Sequence, residues 1–259
     1  MGRRTNHLCR PRSVMSSYKE FAHIYDALMT DIPYDNYVHK VLSCVENVKG
    51  KTLLDIGCGT GVLSAKLMAE GFTVQAIDLS EEMLSMAADR FQKEGIHIPL
   101  FEMSMSDLEG FQDVDVALLS IDSLNYLENE EQVVQTFEGV YQLLNEGGQL
   151  FFDVHSLYKM DELFLDGPFT YEDENVAYIW HTELGEVPHS VYHDLTFFMR
   201  KENGLYERFE ESHFQRTYAV ITYITWLKQA GFSKVQVTAD WTNDEPTANS
   251  ERIFFHVTK

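Results

Sequence analysis

From residue 51 onward, short apolar runs alternate with amphipathic stretches, and few chains have more than one way to fold such a pattern. Residues 51–56 read as a short buried strand and 62–70 as a helix stopped by Gly71. FTVQAID is the next strand. Ser80 then caps a helix to about Lys93, with Glu81 and Glu82 in its first turn. IHIPLFEM and VDVALLSI are strands three and four. In NEEQVVQTFEGVYQLL, Val133, Phe137, Val140, Tyr141 and Leu144 form one apolar stripe. NEGG ends that helix and QLFFDV opens a fifth strand. Parallel neighbours need a crossover helix, so the pattern specifies a doubly wound α/β fold, a mostly parallel sheet with helices on both faces.

In such sheets a ligand sits beyond the carboxyl ends of the strands, where strand order reverses. LLDIGCGTG, residues 53–61, lies at that edge. Gly57, Gly59 and Gly61 permit a sharp turn and let a ligand touch the backbone, and the next helix offers free N–H groups. By itself the turn is equally a tight strand-to-helix connection. A dinucleotide fingerprint, G-x-G-x-x-G, would need glycine at position 62, where the chain has Val62. Asp78 ends the second strand about 20 residues after the turn, where an acid accepts from both ribose hydroxyls; it also suits a helix N-terminus. Together the two features describe a nucleoside ligand carrying something other than a pyrophosphate.

LLDIGCGTG, Asp78, SIDSLNYL and LNEGGQLFFDV together resemble the motifs of the class I S-adenosylmethionine-dependent methyltransferases over residues 18–258. The chain is most similar to small bacterial stand-alone members of unassigned substrate, and more distantly to the glycine N-methyltransferase group. The resemblance implies a Rossmann-like sheet of seven strands with the last antiparallel, and S-adenosylmethionine as cofactor. It implies that the backbone at Gly57, Cys58, Gly59 and Gly61 meets the methionine moiety and that Asp55 holds its ammonium, directly or through water. Asp78 takes the ribose, with Leu79 and Met83 beside it. Ser104 and Met105 fall where the adenine is read, with Asp107 as an alternative in another register. Ile121 and Asp122 face the methionine portion and sulfonium, although Asp122 also reads as a turn or cap aspartate. Asn125 points to the boundary between cofactor and acceptor. Tyr25, Asn125 and His155 are candidates to orient an acceptor; Tyr25 is equally a core aromatic.

Residues 157–215 break the alternation. FTYEDENVAYIWHTEL, SVYHDLTFFMRK and LYERFEESHFQRTY are aromatic and β-branched runs, with ENG as a hairpin turn. They read as an antiparallel insertion that either covers the acceptor site or guards an edge. His213 and Arg216 are candidates to anchor an anionic group, if the chain turns between them. On strands, His189 and His193 of HSVYH share a face but lie too far apart for one ion, so no metal is expected. TYAVITYITWLKQAGF is a helix, followed by strands SKVQVTAD and RIFFHVTK.

Lys plus Arg number 20 against 41 Asp plus Glu, a formal charge of -21. That field repels nucleic acid and anionic lipid, and a small-molecule acceptor is expected instead. Cys9, Cys44 and Cys58 follow no disulfide or zinc spacing, which suits the cytoplasm. Residues 1–15, rich in arginine, read as a disordered extension, with a basic arm as the alternative, and as neither a signal peptide nor a membrane anchor. The remainder, 16–259, is expected to form one domain, monomeric or homodimeric. Helical spacing of Tyr18, Phe21, Tyr25 and Leu28 precedes a helix from Tyr34 to about Val48. Two functions fit: methyl transfer to a nitrogen or oxygen of a small molecule by in-line displacement, or non-catalytic sensing of S-adenosylmethionine or its demethylated product.

Overall fold

The computed structural model describes residues 32–259 apart from Glu202. The expectations for Tyr25, the helical spacing of residues 18–28 and the arginine-rich start lie outside the described residues. The chain builds α1 (Tyr34–Cys44), β1 (Thr52–Ile56), α2 (Val62–Ala69), β2 (Thr73–Asp78), α3 (Glu81–Glu94), β3 (Leu100–Glu102) and β4 (Val114–Leu119). A 3-10 turn (Ser123–Tyr126), α4 (Glu130–Leu143) and β5 (Leu144–His155) follow. The seven-stranded sheet has the order β10-β11-β5-β4-β1-β2-β3, where β10 is Lys234–Ala239 and β11 is Arg252–Thr258. Strand β11 runs antiparallel to both its neighbours and the other pairs are parallel. Strand order reverses between β1 and β4, so the glycine turn after β1 and the 3-10 turn after β4 stand side by side.

The core follows from the apolar stripes. Val133, Phe137 and Val140 of α4 and Tyr223 and Leu227 of α6 (Val220–Ala230) press on β5 and β11, with Phe152 and Phe255 stacked at 4.4 Å. Each fully buried ring contributes roughly 1.5–3 kcal/mol, so Phe137→Ala would cost about 3–5 kcal/mol. The cap on α3 is as its sequence specifies, Ser80 Oγ accepting from Met83 N at 3.2 Å.

Three boundaries depart from the sequence reading for local reasons. Helix α1 ends at Cys44 rather than near Val48, because Val45 is extended and Asn47 is left-handed (φ 53°). Strand β3 starts only at Leu100, since Pro99 has no N–H to give the ladder. Strand β5 is paired from Leu144, five residues before QLFFDV, through a register shift between Val114 and Val116.

The insertion opens with α5 (Leu157–Asp161) and a 3-10 turn (Leu163–Asp166) before any strand. A four-stranded antiparallel sheet follows, β6 (Phe169–Glu172), β7 (Val176–Leu184), β8 (Ser190–Arg200) and β9 (Tyr206–Arg216). Three runs become four strands because Asp173 folds EDEN into a turn, its Oδ1 accepting from Asn175 N (2.7 Å) and Val176 N (2.8 Å). No helix among the described residues is long and apolar enough to cross a membrane.

Candidate functional site

The three glycines of the turn serve three different purposes. A Cβ on Gly61 (φ 74°) would lie 2.6 Å from Phe91 Cζ, so this glycine lets α2 pack on α3. A Cβ on Gly57 would lie 3.0 Å from Ser123 Cβ, which fixes how closely the turn after β4 approaches. A Cβ on Gly59 (φ 54°) would meet nothing within 4 Å. Packing therefore does not require that glycine, and the missing side chain leaves open space in front of the backbone.

Asp78 shapes that space. Its Oδ2 accepts from Gly59 N at 2.8 Å and its Oδ1 from Ser80 N at 2.9 Å, so the carboxylate ties the turn to the end of β2. Each oxygen keeps a second lone pair. Beyond it Leu79 is 71 % exposed, a large apolar side chain left in water beside an acid, and Phe101, edge-on to Phe111, is also exposed. Below the turn, buried Asp55 accepts from Ser64 Oγ of α2. Burial pushes its pKa up to about 6 against the pull of that bond, with Asp78 adding to the rise. Burial, with Asp55 and Asp78 adding, raises the Cys58 thiol far above its ordinary value, so it stays protonated. Met83 lies in the first turn of α3. Ser104 Oγ stands 2.9 Å from Ser106 Oγ and accepts from Ser106 N, and Met105 Cε reaches within 3.6 Å of the Gly57 Cβ position.

The turn after β4 is strained. Ile121 (φ 59°) and Asp122 (φ 51°) are both left-handed, which a β-branched residue adopts only when held. Asp153 of β5 holds them, accepting from Ile121 N (2.8 Å) and Asp122 N (3.2 Å). The same carboxylate accepts from Tyr37 OH (3.0 Å) and from Arg252, whose other guanidinium nitrogen bonds Asp122 Oδ1 at 2.9 Å. Asp122 Oδ2 accepts from Gln215 Nε2 at 2.9 Å and lies 3.3 Å from His155 Nε2. Asn125 accepts from His155 N (2.9 Å) and donates to Arg216 O (2.7 Å). It thereby joins the 3-10 turn, β5 and β9.

His213 and Arg216 are not brought together. Strand β9 runs through to Arg216, so the two leave on opposite faces. His213 Nε2 lies 3.0 Å from Glu211 and its ring is edge-on to Tyr126; the Arg216 guanidinium stacks on Tyr218 at 4.5 Å and lies 3.7 Å from Glu130. His189 and His193 do not share a strand face either. His189 is left-handed (φ 59°), precedes β8 and bonds Asp161, whereas His193 Nδ1 accepts from Trp180 Nε1 at 3.1 Å. Among the described residues no group of three or more His, Cys, Asp or Glu is placed to hold a metal ion.

Asp153, Arg252, Gln215 and Tyr37 are the residues that sequence reasoning missed. Asp153 had a signal, an acid ending the apolar run QLFFDV; Arg252 had none. A shallow groove lies between α1 and the face of β4, β5, β10 and β11. Its lining includes no residue of the glycine turn, and its one acid, Asp153, is already paired.

The model of a methyltransferase domain matches residues 53–148, the segment from β1 into β5. A protein of Geobacillus sp. (strain WCH70), named as a methyltransferase, is 46 % identical over 242 residues, 92 % of this chain and 98 % of its own length. YqeM of Bacillus subtilis (strain 168), also named as a methyltransferase, is 42 % identical over 93 % of this chain and 97 % of its own. The crystal structure of an S-adenosylmethionine-dependent methyltransferase from Clostridium acetobutylicum superposes with a TM-score of 0.84 at 31 % identity, covering 94 % of this chain and 99 % of that one.

Proposed function

Because this chain belongs to the class I S-adenosylmethionine-dependent methyltransferases, we propose that the edge between β1 and β4 holds the cofactor and that the insertion presents a small molecule to be methylated on nitrogen or oxygen. The chain is an enzyme of methyl transfer, with S-adenosylmethionine as its donor. The open space at Gly59, walled by Asp78, is the observation that carries the placement. A backbone-lined cradle, a carboxylate with lone pairs to spare and an uncovered Leu79 suit the methionine chain, the ribose and the adenine face in turn. Ser123 Oγ, buried and without a hydrogen-bond partner, lies 3.4 Å from where a Gly57 Cβ would stand, a polar atom spare at the same cradle.

When bound, S-adenosylmethionine supplies a methyl group on a cationic sulfur that departs as a neutral thioether. Asp55, below the turn, favours the cofactor ammonium, and its own ionisation is favoured in return. Asp78 accepts from the ribose, and Leu79, Met83, Ser104 and Met105 border the adenine. The left-handed turn at Ile121 and Asp122, braced by Asp153, fixes the wall between cofactor and acceptor. Alignment and exclusion of water are the main contributions such a displacement asks of a protein.

A small acceptor is supported by charge. Residues 157–215 hold 13 Asp and Glu against 4 Lys and Arg, a surface that repels polyanions. Arg216 and His213 do not form one anion anchor, because they leave β9 on opposite faces and an acid already faces each. Tritium transfer from S-adenosyl[methyl-³H]methionine to a panel of small amines, alcohols and acids tests the reading. Label in a small product supports it; efficient labelling of RNA or protein, or tight cofactor binding with no transfer to anything, contradicts it.

A further inference from the structure

At the end of β5 an imidazole is oriented by a carboxylate on one side and left bare on the other. Burial works to raise the pKa of Asp122, but the Arg252 guanidinium beside it and the hydrogen bonds it accepts, from Gln215 among others, hold the carboxyl well below the usual range. Asp122 is therefore ionised and can only accept, so the proton between it and His155 sits on Nε2. Burial also pushes His155 below its ordinary value, against the pull of Asp122. The ring is neutral at pH 7, with Nδ1 a lone pair. That Nδ1 is buried and has no hydrogen-bond partner.

An acceptor left unpaired in an interior gives up its bonds to water and gains none in return, which calls for an explanation. The ring is not loosely placed. Its backbone N–H is bonded to Asn125, its carbonyl accepts from Thr217 Oγ1 at 2.6 Å, and Phe164 meets the ring edge-on at 5.1 Å. Asp122 is itself fixed by Arg252 and Gln215. The charged and titratable groups facing His155 are Asp122 from the turn after β4, Arg252 from β11, Lys159 from α5 and His193 from β8. The turn carrying Asp122 continues into Ser123, whose Cβ lies 3.0 Å from where a Gly57 Cβ would stand, so the segment that orients the ring is the one that closes on the glycine turn.

We propose that His155 is the general base of the reaction, its Nδ1 taking the proton of the acceptor, with Asp122 as the positioning residue. This rests on the methyl-transfer site placed above and narrows its substrate. As the acceptor oxygen or nitrogen bonds to the methyl carbon, the sulfur–carbon bond breaks with its electron pair left on sulfur. The acceptor's proton passes to Nδ1, and the imidazolium, stabilised by Asp122, later releases it to water. An acceptor that needs this step carries a proton, so it is a hydroxyl or an amine; a carboxylate, already bare at neutral pH, has no use for it.

Two measurements test the proposal. In wild-type protein saturated with S-adenosylhomocysteine, ¹⁵N NMR of the imidazoles should find His155 neutral at pH 7 with Nε2 protonated and Nδ1 bare. A proton on Nδ1 at pH 7 overturns it. Tritium transfer to the amine, alcohol and acid panel is then followed from pH 5.5 to 9 in wild type and His155→Gln, beside their calorimetric affinities for S-adenosylmethionine. The expected result is labelled amines or alcohols, and a loss of roughly 100- to 1,000-fold in kcat for His155→Gln that shrinks as pH rises, with cofactor Kd within twofold. Asp122→Asn should show a smaller loss of the same pH dependence. Wild-type kcat and pH profile in His155→Gln, or label only in carboxylates, overturns the base and leaves methyl transfer standing. A wild type that fails to bind S-adenosylmethionine overturns both.

Discussion

The two halves of the proposed site, one for the cofactor and one for the acceptor, are built from different materials. On the cofactor side the working parts are backbone: a glycine turn, two N–H groups capped by Asp78, and residues within about one strand and helix of each other in sequence. On the acceptor side they are side chains drawn from four places: Asp122 after β4, His155 on β5, Gln215 on β9 and Arg252 on β11. Cofactor binding should therefore survive most changes on the acceptor side, while the acceptor side should be fragile to the loss of any one charge.

The largest effect is expected at Asp153. Replacing it with alanine leaves Arg252 and Tyr37 short of their shared carboxylate and frees the strained Ile121 and Asp122 amides, at a cost of about 3–5 kcal/mol. Urea unfolding measures it, and a loss below about 1 kcal/mol would mean that the turn is held by something else. Next come the glycines. Gly61→Ala meets Phe91 as well as a left-handed backbone and should cost roughly 3 kcal/mol, whereas Gly59→Ala meets only the backbone and should cost about 1–2 kcal/mol. Cofactor affinity should rank the pair the other way, Gly59→Ala losing more than tenfold because its methyl enters the cradle. Equal affinity losses would erase the distinction between packing glycine and ligand glycine.

A smaller effect concerns pH. With its pKa raised to about 6, Asp55 takes up a proton below that pH, and a bound ammonium would have to expel it. Affinity for S-adenosylmethionine should thus fall as pH drops through 6, by at most about tenfold per unit, and be flat in Asp55→Asn. A wild-type profile flat from 7 to 5 would show that Asp55 does not face the cofactor.

The same contrast explains what could be read in advance. The glycine turn, Asp78 and the alternation of strand and helix are local signals, and the sheet they imply is the one found. The acceptor side depends on long-range partners: Arg252 reaches Asp153 across 99 positions and Tyr37 across 215. No spacing rule links such residues, so His155 could be named only as a candidate, and Arg216 was grouped with His213 although β9 continues through both. Where a single residue changed the local chemistry, as Pro99 did for β3 or Asp173 for the split hairpin, a finer reading of the same sequence could have found it.

The most direct test of the central claim is the affinity for S-adenosylmethionine measured by calorimetry, under one set of conditions, in wild type, Asp78→Ala and His155→Gln, with NADH titrated into wild type as a control. Asp78→Ala should weaken binding by about 1.5–3 kcal/mol, roughly 10- to 100-fold, since a charge-assisted pair of hydrogen bonds is lost, while His155→Gln stays within twofold and NADH binds far more weakly. Wild-type affinity in Asp78→Ala, or NADH binding as tight as S-adenosylmethionine, would contradict the account.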